Sequence, residues 1–337
     1  MPNRNPPAIV AATAKNLAQP IELLTFHIDE DTAAVRLDQF LARRMPWRSR
    51  SFFRKMIARR EVMVNQRTVR PSRQLNPGDV VRVDVSRYQK VYRPPEHIEL
   101  DVIHEDDDVL VLNKQPGIVV HPTGIHLYDT LMNAVHHRYE SAKYLPRIVH
   151  RLDRETSGVL VLAKNEVART CLARQIEGRT VVKSYRALVH GIFPSRRGDI
   201  TLPIGSSRHS HIRLKQDINH HHGLPSHSVY TITASAPFVP GFVDGLSLVD
   251  VTLKTGRQHQ IRVHLAAAGH PILADKLYGR ERSCSLHGVE ITHHLLHALR
   301  FGCVHPRTQQ PVTFTAPLPH AFAASVAAVF GPAFAQT

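Results

Sequence analysis

Beyond about residue 98 the chain alternates, in no fixed order, between short runs rich in Val and Leu and stretches with helical spacing. The runs are Val109 to Leu112, Val159 to Ala163, Ser184 to Val189 and Leu248 to Leu253. Each has the length of a buried strand, roughly four to eight residues, and falls short of an independent helix. Such mixing predicts an α+β fold, built on a large mixed, mostly antiparallel sheet.

The first hundred residues follow a different pattern. Leu37, Phe40 and Leu41 have helical spacing until Pro46 interrupts it. Ser49 is a cap for a second helix carrying Phe52, Phe53, Met56 and Ile57. Its other face holds Arg50, Arg54, Lys55, Arg59 and Arg60. Val62 to Val64 and Val80 to Val85 read as strands, with a turn signal at Asn76-Pro77-Gly78-Asp79. A unit this small buries limited apolar area and reads as a recognition module attached to a larger domain. The segment Tyr88 to Glu96, with Arg93-Pro94-Pro95, reads as a linker. These signals divide the chain into a flexible tail (1–32), a small α+β module (33–88), a linker (89–97), a large domain (98–320) and an Ala-rich C-terminal tail (321–337) that reads as a frayed helix.

Charge narrows the partner. Lys and Arg total 43 against 28 Asp and Glu, a net charge of +15 with His neutral. Cationic side chains bind polyanions by releasing condensed counterions, so nucleic acid is the expected partner. Anionic membrane surfaces also attract cations. No window reaches the roughly 18 apolar residues of a membrane helix, however, and none is expected. The start of the chain lacks the apolar block and cleavage site of a signal peptide. The 3 cysteines are scattered and form no C-x-x-C pair. That fits free thiols in a reducing cytoplasm.

Residues 150–164 read His-Arg-Leu-Asp-Arg-Glu-Thr-Ser-Gly-Val-Leu-Val-Leu-Ala-Lys. A charged loop runs straight into a buried strand, where a scaffold can hold a reactive side chain rigidly. By composition alone, Arg151, Asp153 and Arg154 equally read as a solvated charge cluster. The histidines raise a metal alternative. His220-His221-His222 lacks a cysteine or acidic partner at ligand spacing, and His293, His294 and His297 could place two ligands on one helical face. No metal is expected at either.

The 150–164 segment resembles the signature of the RluA family of pseudouridine synthases, H-R-L-D-x-x-T-S-G before an apolar run and Ala-Lys. Similar segments follow the family's order: Lys114-Gln115-Pro116-Gly117 with Val120-His121-Pro122, Lys183 to Val189, Thr255 to Arg262, Gly269-His270-Pro271-Ile272, Tyr278-Gly279, His297-Ala298 and Ala316 to Pro319. Upstream, Arg36 to Leu41, Ser49 to Ile57 and Val62 to Asn65 resemble the alpha-L RNA-binding domain. Two departures stand out. Ala274 occupies a place where the family usually has Gly, and the His-rich segment 208–227 is atypical.

The resemblance implies an isomerase that breaks the N1–C1′ bond of a uridine, turns the uracil and rejoins it through C5. Nothing is oxidised, so no cofactor is expected. Positive character developing at the sugar calls for a nearby carboxylate. The resemblance makes Asp153 that group, as nucleophile or as base. It implies Arg262 as the cation paired with Asp153, Tyr185 as the aromatic stacked on uracil, and Arg151 as the side chain filling the gap left by the flipped base. The guanidinium of Arg262 is expected to hold Asp153 bidentately from a helix running from Arg257 to Ala268, on whose polar face Gln258 and His259 also lie. Arg50, Arg54, Lys55 and Arg59 are the expected RNA contacts of the small module. The expected target is structured RNA, large-subunit ribosomal RNA ahead of transfer RNA, met by a monomer with no protein partner. Rival readings are a purely RNA-binding protein and a nucleoside hydrolase that releases free uracil.

Overall fold

The computed structural model describes residues 23–30, 33–45, 49–85, 98–122, 129–207, 210, 212 and 215–336. It divides into two compact units, residues 1–99 with 119–145, and residues 100–118 with 146–337. No helix among the described residues is long and apolar enough to cross a membrane. The expected linker at 89–97 lies outside the described residues.

The first unit contains β1 (Leu23–His27), α1 (Leu37–Arg44), α2 (Arg50–Ala58), β2 (Val62–Val64), β3 (Arg67–Thr68) and β4 (Val80–Asp84). The strands form one antiparallel sheet in the order β1-β4-β2-β3. Helix α1 buries Leu37, Phe40 and Leu41, and α2 buries Phe53, Met56 and Ile57. The Ser49 hydroxyl accepts from the Phe52 N–H at 3.2 Å, satisfying one of the free donors at the start of α2. Gly78, at φ +85°, makes the turn into β4. The expectation of a flexible tail through residue 32 is corrected by β1. Leu24 is buried, and Phe26 meets Phe40 edge-to-face at 5.7 Å. This unit also includes α3 (Leu131–Arg138), opened by a Thr130–Asn133 capping box.

The second unit is centred on a ten-stranded sheet. Its members in chain order begin with β5 (Val102–Glu105), β6 (Val109–Lys114), β7 (Arg147–Ile148) and β8 (Ser157–Ala163). Helix α4 (Glu166–Glu177) intervenes before β9 (Val182–His190) and β10 (Arg197–Ile200). A separate hairpin, β11 (Ile204–Ser206) with β12 (Gln216–Ile218), precedes β13 (Ser228–Ala236) and β14 (Leu246–Leu253). Then come α5 (Gln260–Ala267), the hairpin β15 (Cys284–Leu286) with β16 (Val289–Ile291), β17 (Leu296–Val304), β18 (Pro311–Thr315) and α6 (His320–Phe330). The main order is β10-β13-β14-β9-β17-β8-β6-β5, with β18 beside β17 and β7 beside β8. Its pairs are antiparallel except β8 with β17, giving the expected mixed, mostly antiparallel sheet.

Strands β6 and β8 are buried along their whole length. Val109, Val111, Val159 and Val161 pack with Leu172 of α4 and with Phe301 and Phe314. Gly158 lets β8 approach β17. Its φ is +108°, and a Cβ there would lie 2.2 Å from the Ala298 carbonyl oxygen. The glycine of the T-S-G motif therefore serves strand packing.

The C-terminal stretch, read as an Ala-rich tail or frayed helix from residue 321, forms α6 and packs into the core. Phe322 and Val326, four apart on one face, join Leu188, Leu273 and Leu295 in a second core cluster. An alanine-rich helix of this kind has little local signal, and burial of two large side chains fixes it. The region of His293 to His297 is likewise not a helix. His294 precedes β17 and His297 lies within it.

Candidate active site

Asp153 sits on the loop between β7 and β8, and bonds from several elements hold that loop. Lys114, at the end of β6, is 1% exposed and donates to three carbonyls: Gln115 at 2.9 Å, Arg154 at 2.8 Å and Thr156 at 2.9 Å. An ammonium has three donors, and all three are used. Burial brings its pKa down to about 7, against the attraction of Asp153. The Gly117 N–H also donates to Arg154 O, at 2.9 Å. His150 stacks on Phe301, centroids 4.7 Å apart, while its Nε2 accepts from the Val161 N–H at 3.0 Å. Thr156 Oγ1 and His294 Nε2 lie 2.8 Å apart, and Ser157 Oγ and His297 Nδ1 lie 2.9 Å apart. His294 and His297, two of the three histidines that suggested a metal face, thus brace the loop and β8.

Burial would raise the Asp153 pKa, but the fields of His259, Arg262 and His294 and the Arg262 hydrogen bond more than offset it. The carboxyl is therefore held below its ordinary range. Burial keeps His259 and His294 neutral at pH 7, which leaves Arg262 as the full positive charge of that group. Arg262 Nη1 donates to Asp153 Oδ2 at 3.0 Å.

The expected bidentate clamp is corrected: Arg262 holds Asp153 by one bond and gives its fork to Asp275. Nε reaches Asp275 Oδ2 and Nη2 reaches Oδ1, each at 2.7 Å. The Asp275 side chain is fully buried, and its Oδ1 also accepts the N–H groups of Leu277 at 3.0 Å and Tyr278 at 3.2 Å. Arg262 is thus a pre-set cation whose Nη1 is directed at Asp153. The expected helix is corrected too. Helix α5 starts at Gln260, because Gln260 Oε1 turns back to accept from the Arg257 N–H at 2.9 Å, and His259 has φ +56°. Gln258 and His259 are therefore not on its face.

Tyr185 lies on β9, 9% exposed and opposite Val251 in the neighbouring strand. Burial, then the negative field of Asp153, push its pKa upward, so the phenol is neutral at pH 7. Arg151 is exposed, two residues before Asp153. In the first unit Arg54, Lys55 and Arg59 are exposed. Arg50 donates to the buried Asp38 at 2.8 Å and is partly committed to the fold. Asp275, Tyr278 and Lys114 were not singled out from sequence, although Lys114 and Tyr278 fall within the quoted motifs. No local spacing marks an acid that meets an arginine thirteen positions away.

Among the described residues, the group with metal-ligand spacing is Asp106, Asp108 and His305. Its oxygens already accept from His104, from the backbone N–H groups of Asp108 and Val109, from Asn165 and from Arg307.

Burial holds His150 at about 3 and His294 and His297 at about 4. Above about pH 6.5, the unfolded value, these imidazoles are neutral in both states. Below it the unfolded chain takes up protons that the folded chain refuses, so stability falls as pH drops from about 6.5 to 4. Asp153 and Asp275, whose pKa values are depressed, lose their contribution only at lower pH. Each imidazole contributes at most roughly 1.4 kcal/mol per pH unit in this window. The urea midpoint is expected to be clearly lower at pH 5 than at pH 7, and equal midpoints would contradict neutral burial.

A family model described as RNA pseudouridylate synthase matches residues 108–267, and one for the S4 domain matches residues 35–81. The "Uncharacterized RNA pseudouridine synthase YlyB" of Bacillus subtilis is 35% identical over 301 residues, covering 86% of this chain and 92% of that protein. The "Ribosomal large subunit pseudouridine synthase D" of Neisseria meningitidis serogroup B is 37% identical over 299 residues, covering 86% of this chain and 77% of that one. Among solved structures, "Human RNA Pseudouridylate Synthase Domain Containing 1" superposes with a TM-score of 0.53 at 28% identity, covering 66% of this chain and 84% of that one. With likeness of this degree over most of its relatives' length, the chain belongs to the RluA family of pseudouridine synthases and carries an S4 domain ahead of the catalytic sheet.

Proposed function

We propose that the chain isomerises specific uridines of large-subunit ribosomal RNA, with Asp153 as the catalytic carboxylate. The observation that carries this reading is an ionised Asp153 held on one oxygen by Arg262, whose orientation Asp275 fixes. Positive charge develops at C1′ as the N1–C1′ bond breaks, and a fixed carboxylate opposes it at little reorganisation cost. Tyr185, neutral and buried beside that charge, offers a flat face to uracil and no phenolate. Reaching this site requires the uridine to leave its stack, which costs a few kcal/mol. Arg151, exposed near the carboxylate, is assigned to the vacated space. After rejoining at C1′, C5 gives up its hydrogen to water, and N1 gains a proton. The ribosomal target rests on the names of relatives such as the Neisseria protein. The test is tritium release from 5-tritiated uridine in ribosomal and transfer RNA by the purified full chain. Release from large-subunit RNA is expected. Free uracil as the product, or release from transfer RNA alone, would overturn the reading.

The S4 domain is assigned to RNA capture through Arg54, Lys55 and Arg59. Phosphate contacts position without reading sequence, and each releases counterions. Changing all three to Gln is expected to lower the slope of log affinity against log salt by roughly two to three units. An unchanged slope would show that these side chains are merely solvated.

A further inference from the structure

We propose that His259 is a positioning residue for Asp153, and that Tyr278, itself held by the β11–β12 hairpin, fixes which of its nitrogens carries the proton. The proposal deepens the isomerase reading and rests on it.

His259 stands at φ +56° and ψ +18° immediately before α5. Left-handed backbone at a residue other than glycine costs roughly 1–3 kcal/mol and persists only where its surroundings demand it. His259 O still accepts the Val263 N–H at 2.9 Å, so the helix starts normally. The imidazole is 8% exposed, with Nε2 3.7 Å from Asp153 Oδ2. That distance is longer than a hydrogen bond, and catalytic hydrogen bonds commonly tighten only when substrate is present.

The other ring nitrogen has a firm partner. Nδ1 lies 2.8 Å from Tyr278 Oη, and the same Oη accepts the Gln216 backbone N–H at 2.8 Å. A neutral imidazole carries one proton. Facing a carboxylate, Nε2 is the nitrogen that keeps it. Nδ1 is then an acceptor, and the phenol hydrogen points to it. Every donor in this chain points one way, from Gln216 to Tyr278, from Tyr278 to His259, and from His259 towards Asp153. The opposite tautomer would set a lone pair against the carboxylate.

The relay has a geometric consequence. Arg262 and His259 both address Oδ2 of Asp153. Oδ1 is left as the oxygen that meets the ribose or base. Gln216 belongs to the family-atypical segment 208–227, so the relay gives that segment a route to the reacting carboxylate.

Charged groups acting on His259 are Asp153, Arg262, Asp275 and Arg151. The Tyr278 ring also lies 5.1 Å from the Arg262 guanidinium carbon and 5.6 Å from Lys215 Nζ. Tyr278→Phe keeps these ring contacts and deletes only the hydroxyl. His259→Asn keeps the left-handed backbone, which Asn tolerates, and removes the ring.

The test uses the full chain and two readouts. Without RNA, imidazole nitrogen-15 spectra, assigned by the signal lost in His259→Asn, are expected to show His259 protonated on Nε2. In Tyr278→Phe that signal is expected to shift towards a mixture of tautomers. With saturating RNA, tritium release is expected to fall in kcat about 10- to 100-fold for His259→Asn, as misplacement of a reacting group does, with KM within about 2-fold. The fall for Tyr278→Phe is expected to be about 5-fold, the equivalent of one hydrogen bond. A wild-type His259 protonated on Nδ1, or wild-type kcat in Tyr278→Phe, would overturn the relay. A wild-type chain with no turnover on any RNA strikes the isomerase reading instead, while the tautomer spectra still decide the relay.

Discussion

Asp153→Asn is expected to reduce isomerisation by at least about a thousand-fold, or ~4 kcal/mol of barrier, while RNA affinity stays within a few-fold. The substitution preserves size and an acceptor oxygen for Arg262 Nη1, so the loop, braced by Lys114, His150, Thr156 and Ser157, keeps its shape. What is lost is the negative charge beside C1′. Binding is carried elsewhere, by phosphate contacts. Tritium release under single-turnover conditions, alongside RNA titrations, separates the two effects. Residual turnover within tenfold of wild type would remove Asp153 from the chemistry.

Asp275→Ala is expected to destabilise the protein by about 3–5 kcal/mol, because it leaves a buried guanidinium without its bidentate partner. Arg262 is 6% exposed and Asp275 is fully buried, so water cannot replace the lost carboxylate cheaply. Turnover of the folded fraction is also expected to fall, since Arg262 becomes free to rotate away from Asp153. Urea unfolding measures the first effect and tritium release the second. Replacing Arg262 and Asp275 together by apolar residues is expected to recover much of the stability and none of the activity. A shift of under about 1 kcal/mol for Asp275→Ala would mean that the fork is not what holds Arg262.

Strands β6 and β8 were legible because burial on both faces makes them near-continuous apolar runs, and β9 and β14 because their Val, Leu and Tyr residues still cluster at strand length; each contains the run read from sequence. Helices α1 and α2 were legible from helical spacing and from Ser49. Strand β1 was not, because five residues of mixed polarity carry little signal before they pair with β4. Strand β17 was obscured by His297, Arg300 and Gly302, whose places in the sheet depend on partners far away in sequence. The pairing of Asp153 with Arg262, 109 positions apart, came from the order of family motifs and not from any local spacing. The fork to Asp275 was invisible for the same reason. It forms only when the turn after α5 brings the two side chains together, and sequence gives no sign of which acid that turn presents.

Pseudouridine mapping across ribosomal and transfer RNA, from cells lacking this protein and from the same cells supplied with the wild-type chain or with Asp153→Asn, tests the role of Asp153 most directly. Discrete uridines of large-subunit ribosomal RNA are expected to lose the modification, to regain it with the wild-type chain, and to stay unmodified with Asp153→Asn. Restoration by Asp153→Asn, or an unchanged map in the absence of the protein, would contradict the account.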